Sequence, residues 1–145
     1  VMIYDFVCFH EVAEEIAKNL DTHYQEADSR EDHGKPNLDW DNYFELSRRG
    51  MCRVVTAREN GVLVGYSVFI IGNNINHKHV LEASNTGFFI KKEYRGKIIN
   101  ELLRYVDKYL DEMGVTSIGY ALSDKRLGLL LKRKGYKMKF ITWSK

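Results

Sequence analysis

The densest chemistry in the chain lies within residues 80–113. Phe88-Phe89-Ile90 closes an apolar run, Lys91-Lys92-Glu93-Tyr94-Arg95-Gly96-Lys97 makes a basic turn, and a long amphipathic stretch follows. A strand that passes through a basic, glycine-bearing turn into a helix is one way to build a diphosphate site. The first helical turn leaves backbone N–H groups unpaired and carries partial positive charge, and Arg95 and Lys97 add full charges there. Upstream, Glu82 stands in an otherwise apolar-to-neutral strand. Burial there would raise its pKa into the range of a general base, or it pairs at the strand end with Lys78 or Arg104. His77 and His79 enter the same strand, and a histidine titrates near neutral pH. His23 and Glu26 form a second polar group. Alternation places Glu82, Ser84, Thr86 and Phe88 on one face and Ala83, Asn85, Gly87 and Phe89 on the other.

The elements that would hold these residues fit one domain. The chain has 145 residues, 44% of them hydrophobic and 29% charged, which suits a soluble globular unit with a real core. Its apolar runs fall far short of a membrane span. Asp5, His10, Glu11, Glu14 and Glu15 interrupt the start, so no secretory leader is expected, and Cys8 and Cys52 read as free cytosolic thiols. The net charge of +2 conceals an asymmetry. Residues 1–94 hold 10 Lys/Arg against 15 Asp/Glu, and residues 95–145 hold 12 against 5. A basic half suits phosphates and an acidic half suits cations.

Val12, Ile16 and Leu20 predict a helix over about 10–21, and residues 22–38 a polar loop or lid. A short helix over 39–49 would be capped by Asn37 or Asp39. Met51–Arg58 and Val62–Ile71 predict a hairpin about Asn60-Gly61, since both residues tolerate positive φ. A third strand spans about 80–90. Ile99, Leu102, Leu103, Val106, Leu110 and Met113 form the stripe of a helix over 97–113, stopped by Gly114. A strand over Ser117–Leu122, a helix opening near Asp124, the Gly135-Tyr136 turn and a strand to Trp143 complete an α/β (α+β) domain with one mixed, twisted sheet. No histidine pair has the helical spacing of a zinc site, so no metal is expected.

Several segments resemble the GNAT superfamily of acyl-CoA-dependent N-acyltransferases: Phe88 to Lys97, the stripe through Leu102-Leu103, Gly114-Val115, Lys132-Arg133-Lys134-Gly135-Tyr136 and Leu63-Val64-Gly65-Tyr66. His23-Tyr24-Gln25-Glu26, Asn37 to Tyr43 and Val55-Thr56-Ala57-Arg58 resemble a branch common in bacteriophage and prophage genomes. The resemblance covers about residues 20–143. It implies a GNAT-like single domain over 1–145, a mostly antiparallel sheet flanked by helices, and acetyl-CoA as co-substrate. Phe88, Phe89 and Ile90 would pair with the pantetheine arm, and the amides of Arg95, Gly96, Lys97, Ile98, Ile99 and Asn100 would cradle the pyrophosphate. The chain departs from the superfamily's pattern in two places. Ile98 and Asn100 stand where glycines are expected, so Ile98 either narrows the cradle or turns into the core. Leu131 stands where a tyrosine commonly protonates the leaving thiolate, and Asp124 where an asparagine is common.

Acyl transfer to an amine needs a neutral amine, a path for its proton and donors for the carbonyl oxygen. Glu82, His79 and Tyr120 are the candidates, Tyr120 standing in for the tyrosine missing at 131. The acceptor would be a small-molecule or protein amine, drawn to the acidic part through Asp28, Glu31 and Asp32. A cytoplasmic enzyme without a membrane partner follows, and a homodimer, common in that superfamily, is compatible with it. The alternative is a non-catalytic GNAT-fold module that binds acyl-CoA or protein. Nucleic acid, through Lys125, Arg126, Lys132, Arg133, Lys134, Lys137 and Lys139, is disfavoured by the scarcity of aromatics between Lys125 and Lys134.

Overall fold

A computed structural model describes residues 1–26, 37–120 and 125–138. Asp28, Glu31, Asp32, Asp124, Lys139 and the expected last strand to Trp143 lie outside them, as do the side chains of His23, Glu26 and Lys125. The described elements run β1 (Met2–Cys8), α1 (Phe9–Glu26), α2 (Trp40–Arg48), β2 (Cys52–Glu59), β3 (Val62–Asn73), β4 (Leu81–Ile90), a 3-10 turn (Lys92–Tyr94), α3 (Ile99–Met113), β5 (Ser117–Gly119) and α4 (Lys125–Arg133). The five strands form one sheet in chain order, β1-β2-β3-β4-β5. Its first three pairings are antiparallel and the last, β4 with β5, is parallel.

Local chemistry sets the boundaries. Asp39 caps α2 by accepting from the Asn42 N–H at 3.1 Å. Asn60 and Gly61 take φ of 51° and 80°, the left-handed pair that a tight β2–β3 hairpin requires. Gly114 ends α3 at φ 96°, with its N–H donating to Asp111 and Leu110 carbonyls. The expected helix over 10–21 is longer at both ends. One strand went unanticipated: Met2–Cys8 pairs with Glu59–Arg53 and forms the sheet's outer strand.

Two cores sandwich the sheet. On one face Val55, Ala57, Phe69, Ile71, Ala83 and Ile90 meet the α3 stripe of Leu102, Val106 and Leu110. On the other, Val54, Tyr66, Val68 and Phe89 meet Phe9, Val12 and Ile16 of α1, with Trp40, Tyr43 and Phe44 of α2 alongside. The aromatic side of α2 is therefore core, with Phe9 stacked 4.7 Å from Tyr43. A smaller cluster of Leu103, Leu127 and Leu131 docks α4 on α3.

Polar ties join the layers. The Arg58 guanidinium grips Glu15 of α1 through two 2.6 Å bonds, and this pairing holds the Glu15 carboxyl below its usual range. A depressed carboxyl stabilises the fold above its unfolded value of about 4.3, and that gain is lost as pH falls through the folded value. The pair is partly exposed, so its contribution is on the order of 0.5–1 kcal/mol. We expect Glu15→Gln to lower the urea midpoint at pH 7 and to converge on the parent near pH 3. A constant gap across that range would contradict this assignment.

Candidate active site

β4 pairs with β3 along its length, but β5 accompanies it only over Glu82–Ser84, opposite Ser117–Gly119. From Asn85 to Ile90 the outer edge of β4 has no strand partner among the described residues. The register also breaks here. Asn85 lies opposite Phe69 and Gly87 opposite Val68, so Thr86 is one extra residue, a β-bulge. An inserted residue exchanges the faces of everything beyond it. The expected alternation therefore holds only as far as Thr86. Phe88 and Ile90 join Ala83 on the α3 side, whereas Phe89 packs opposite, against Tyr66.

The strand runs into the basic turn. Lys91 N–H donates to the Val64 carbonyl, and Arg95 Nε donates to the Ile90 carbonyl at 3.0 Å, folding that side chain back over the strand end. Gly96 adopts φ 80°, a conformation only glycine takes without strain. The N–H groups of Lys97 and Ile98 both turn to the Tyr94 carbonyl, and Leu102 N–H makes the first bond of α3, to Ile98. The amides of Gly96, Ile99, Asn100 and Glu101 have no backbone partner among the described residues. Ile98 occupies the N-cap position, and no side chain caps the helix.

Ile98 turns inward. It is 6% exposed and belongs to the α3-side core. A Cβ built on Gly65 would lie 3.3 Å from both Ile98 Cδ1 and the Phe89 carbonyl oxygen. The branched residue thus fills the space beneath the cradle and leaves its mouth clear. The free amides also sit about one residue later than expected: Arg95, Lys97 and Ile98 spend theirs internally, and Glu101 joins the set. This arrangement suits a diphosphate, with an uncapped helix start, exposed Lys97 and Asn100, and a glycine in open space.

At the split, Tyr120 follows β5. Its ring stands edge-on to Phe69, 5.8 Å away, and to Tyr136, 5.7 Å away. Its hydroxyl is buried with no hydrogen-bond partner. Burial, then Tyr136 and Asp107, push that hydroxyl far above the ordinary tyrosine value, so it stays protonated. Tyr136 donates to Asp107 Oδ1 at 2.5 Å, and Lys134 Nζ approaches the other oxygen at 3.4 Å. Leu131 is buried in the cluster that also touches Phe88 and Tyr120.

Residues 11–136 match the acetyltransferase (GNAT) family. The chain belongs to that family. The GNAT fold is shared with an aminoglycoside acetyltransferase from an uncultured soil metagenomic sample, at 15% identity and TM-score 0.75, over 99% of this chain and 97% of that one. It is shared with a predicted acetyltransferase from Clostridium acetobutylicum solved with acetyl-CoA, at 16% identity and TM-score 0.71, over 99% and 96%. Glucosamine-6-phosphate N-acetyltransferase from Arabidopsis thaliana aligns at 14% identity and TM-score 0.71, over 100% and 97%. No curated relative matches by sequence.

Within this GNAT domain the structure gathers Phe88, Ile90, Arg95 through Asn100 and Tyr120 around the split and the helix start. Phe89 shares the strand but directs its side chain to the opposite core. Glu82 lies within the stretch still paired with β5, half-buried, three residues before the split. Arg104 lies over the Tyr105 ring at 4.9 Å, and no ion pair joins Glu82 to it or to Lys78 among the described residues. His79 is not brought to the site. It is exposed in the connection before β4, beside His77, and β4's ten residues at about 3.3 Å each separate it from the cradle. Among the described residues, no three His, Cys, Asp or Glu side chains gather as metal ligands. The bulge at Thr86 and the unpaired backbone amide of Glu101 carried no signal in the sequence, because register and hydrogen bonding set them.

Gly65→Val would drive side-chain carbon into Ile98 and the Phe89 backbone. We expect it to lower the urea-unfolding free energy by about 1–3 kcal/mol, with Ile98→Ala added to the same chain restoring part of that loss. A Gly65→Val protein as stable as the parent would show that Ile98 does not fill this space.

Proposed function

We propose that this protein transfers an acetyl group from acetyl-CoA to the amine of a small molecule by direct attack. The observation that carries the proposal is a β4 strand that, among the described residues, β5 accompanies only as far as Ser84 and that leads through the basic turn to an uncapped α3 start. Family membership and acetyltransferase neighbours support it, among them a soil metagenomic aminoglycoside acetyltransferase in complex with sisomicin. Acetyl-CoA supplies a thioester: the amine nitrogen forms the new C–N bond, the C–S bond breaks, and the thiolate leaves.

The chain's own groups have separate tasks. Gly96, Ile99, Asn100 and Glu101 amides, with Lys97, hold the diphosphate. The end of β4, from Phe88 to Ile90, offers main-chain partners to an amide-bearing arm. Tyr120 holds a proton in a dry setting beside the split and gives it to the leaving sulfur, from β5 rather than from position 131. Glu82 is the proposed acceptor of the amine's proton, directly or through water. His79, exposed in the connection before β4, is left without a role in this scheme. A cytoplasmic setting and a phage or prophage origin belong to the same reading, supported by free Cys8 and Cys52 and by the sequence resemblance. Leu131 favours a second reading, a GNAT-fold module that binds acyl-CoA without turnover.

Calorimetry with acetyl-CoA, followed by thiol release across a panel of aminoglycosides and polyamines, separates the two. Binding with amine-dependent release is the expected result, and binding without release over that panel supports the module. Tyr120→Phe should leave acetyl-CoA affinity within about twofold and lower kcat by roughly 10²-fold or more. Because the hydroxyl's pKa is raised, the parent should show no loss of acid catalysis up to pH 10. An unchanged kcat in the phenylalanine variant would remove Tyr120 from the mechanism.

A further inference from the structure

The bulge at Thr86 sits where β5 leaves β4, and the Asn85 side chain spans it. Asn85 Nδ2 lies 2.9 Å from Ser67 Oγ, 3.2 Å from the Val68 carbonyl and 3.1 Å from the Gly87 carbonyl. Ser67 is fully buried on β3, and Val68 and Gly87 are the register pair immediately beyond the inserted residue. One amide nitrogen therefore joins both strands on the far side of the bulge. A bulge disrupts the ladder locally and leaves its extra residue unpaired. Here the side chain of the residue before the bulge donates to acceptors on both strands just beyond the break.

We propose that Asn85 is a positioning residue that fixes the conformation of β4 at the split, and so the direction of the main-chain groups meeting the acyl end of the bound thioester. The inference rests on the acetyl-CoA reading above. The cradle lies beyond Ile90, and four residues back along the strand, about 13 Å at 3.3 Å each, is Thr86. An arm anchored at α3 and extended along β4 toward β5 brings its acyl end to this bulge, whereas its diphosphate stays remote from Asn85. Tyr120 is at the same level, since Phe69, the register partner of Asn85, is the ring it meets edge-on.

The side chain acts through its donor character. Asn85→Ala removes the clamp. Asn85→Asp keeps the shape but turns a carboxylate oxygen toward two carbonyls, which repel it. The aspartate variant should therefore be the more impaired although it is the closer in size. Any loss confined to packing would give the opposite order.

The test compares acetyl-CoA with free coenzyme A by calorimetry on the full chain. Because both share the diphosphate and the arm, their ratio isolates the acyl end. In Asn85→Ala we expect acetyl-CoA affinity to fall at least fivefold while coenzyme A affinity stays within twofold, with a larger acetyl-CoA loss in Asn85→Asp. Amide resonances of Gly87 and Phe88 should shift in both variants, and those of Asn100 and Glu101 should not. Should Asn85→Asp fail to fold, Ser67→Ala, which removes one acceptor, should give a smaller loss in the same direction. Equal falls for both ligands, or no change in either, would overturn the positioning role while leaving the acetyltransferase reading in place. A parent protein that binds neither ligand would overturn that reading, and this inference with it.

Discussion

The fold turns on a strand that is half abandoned by its neighbour. β4 cannot leave β3, because their pairing carries Phe69, Ile71, Ala83 and Ile90 into the α3-side core. Beyond Ser84 it has lost β5. Backbone donors and acceptors at such an edge need water or a ligand, since leaving one buried and unpaired costs about 1–3 kcal/mol. The start of α3 presents the same need at the end of the same strand. Among the described residues the part of β4 that β5 does not accompany and the uncapped start of α3 thus follow one another in the chain, neutral along the strand and electropositive at the helix. The proposed acetyl-CoA, with amides along its arm and phosphates at its far end, matches both.

That arrangement also accounts for a hydrophobic residue at an N-cap. Serine or aspartate at position 98 would satisfy an α3 amide from within and compete with an anion for it. Isoleucine cannot. Its side chain instead packs beneath the turn against Gly65, so the cradle is held from below and stays open above. Glycine at 98 would give a ligand the same access but would lose this anchor. At position 131 the leucine completes the α3–α4 contact, and Tyr120 packs against the same cluster.

Where a local rule fixed the backbone, the sequence was legible. Asn60-Gly61, Asp39 and Gly114 each sit where their conformational freedom or capping chemistry demands, and Leu102, Val106 and Leu110 of the α3 stripe meet the sheet as their spacing requires, whereas Leu103 packs on α4 and Met113 is exposed. The uncapped start of α3 was readable to within a residue, because strand, glycine and helix start follow one another in the chain. β1 escaped notice because Met2–Cys8 borders α1 with no turn residue between them, so the helical pattern dominated. Its Tyr4 and Phe6 stack on Tyr105 and Tyr109 of α3, partners about a hundred residues away. The inward turn of Ile98 and the buried hydroxyl of Tyr120 likewise depend on neighbours remote in sequence.

The bulge is the deepest of these non-local features, and packing holds it as firmly as hydrogen bonding does. Without the inserted residue, Phe88 and Phe89 would exchange faces. Phe88 would leave the region shared with Ile99, Leu131 and Tyr120, and Phe89 would leave its place beside Tyr66. Each ring is matched to its own side, so a one-residue slip damages both cores together. Asn85 acts inside this constraint rather than in place of it. Packing decides that β4 must break at Thr86, and the amide decides how the broken strand is held once β5 has gone.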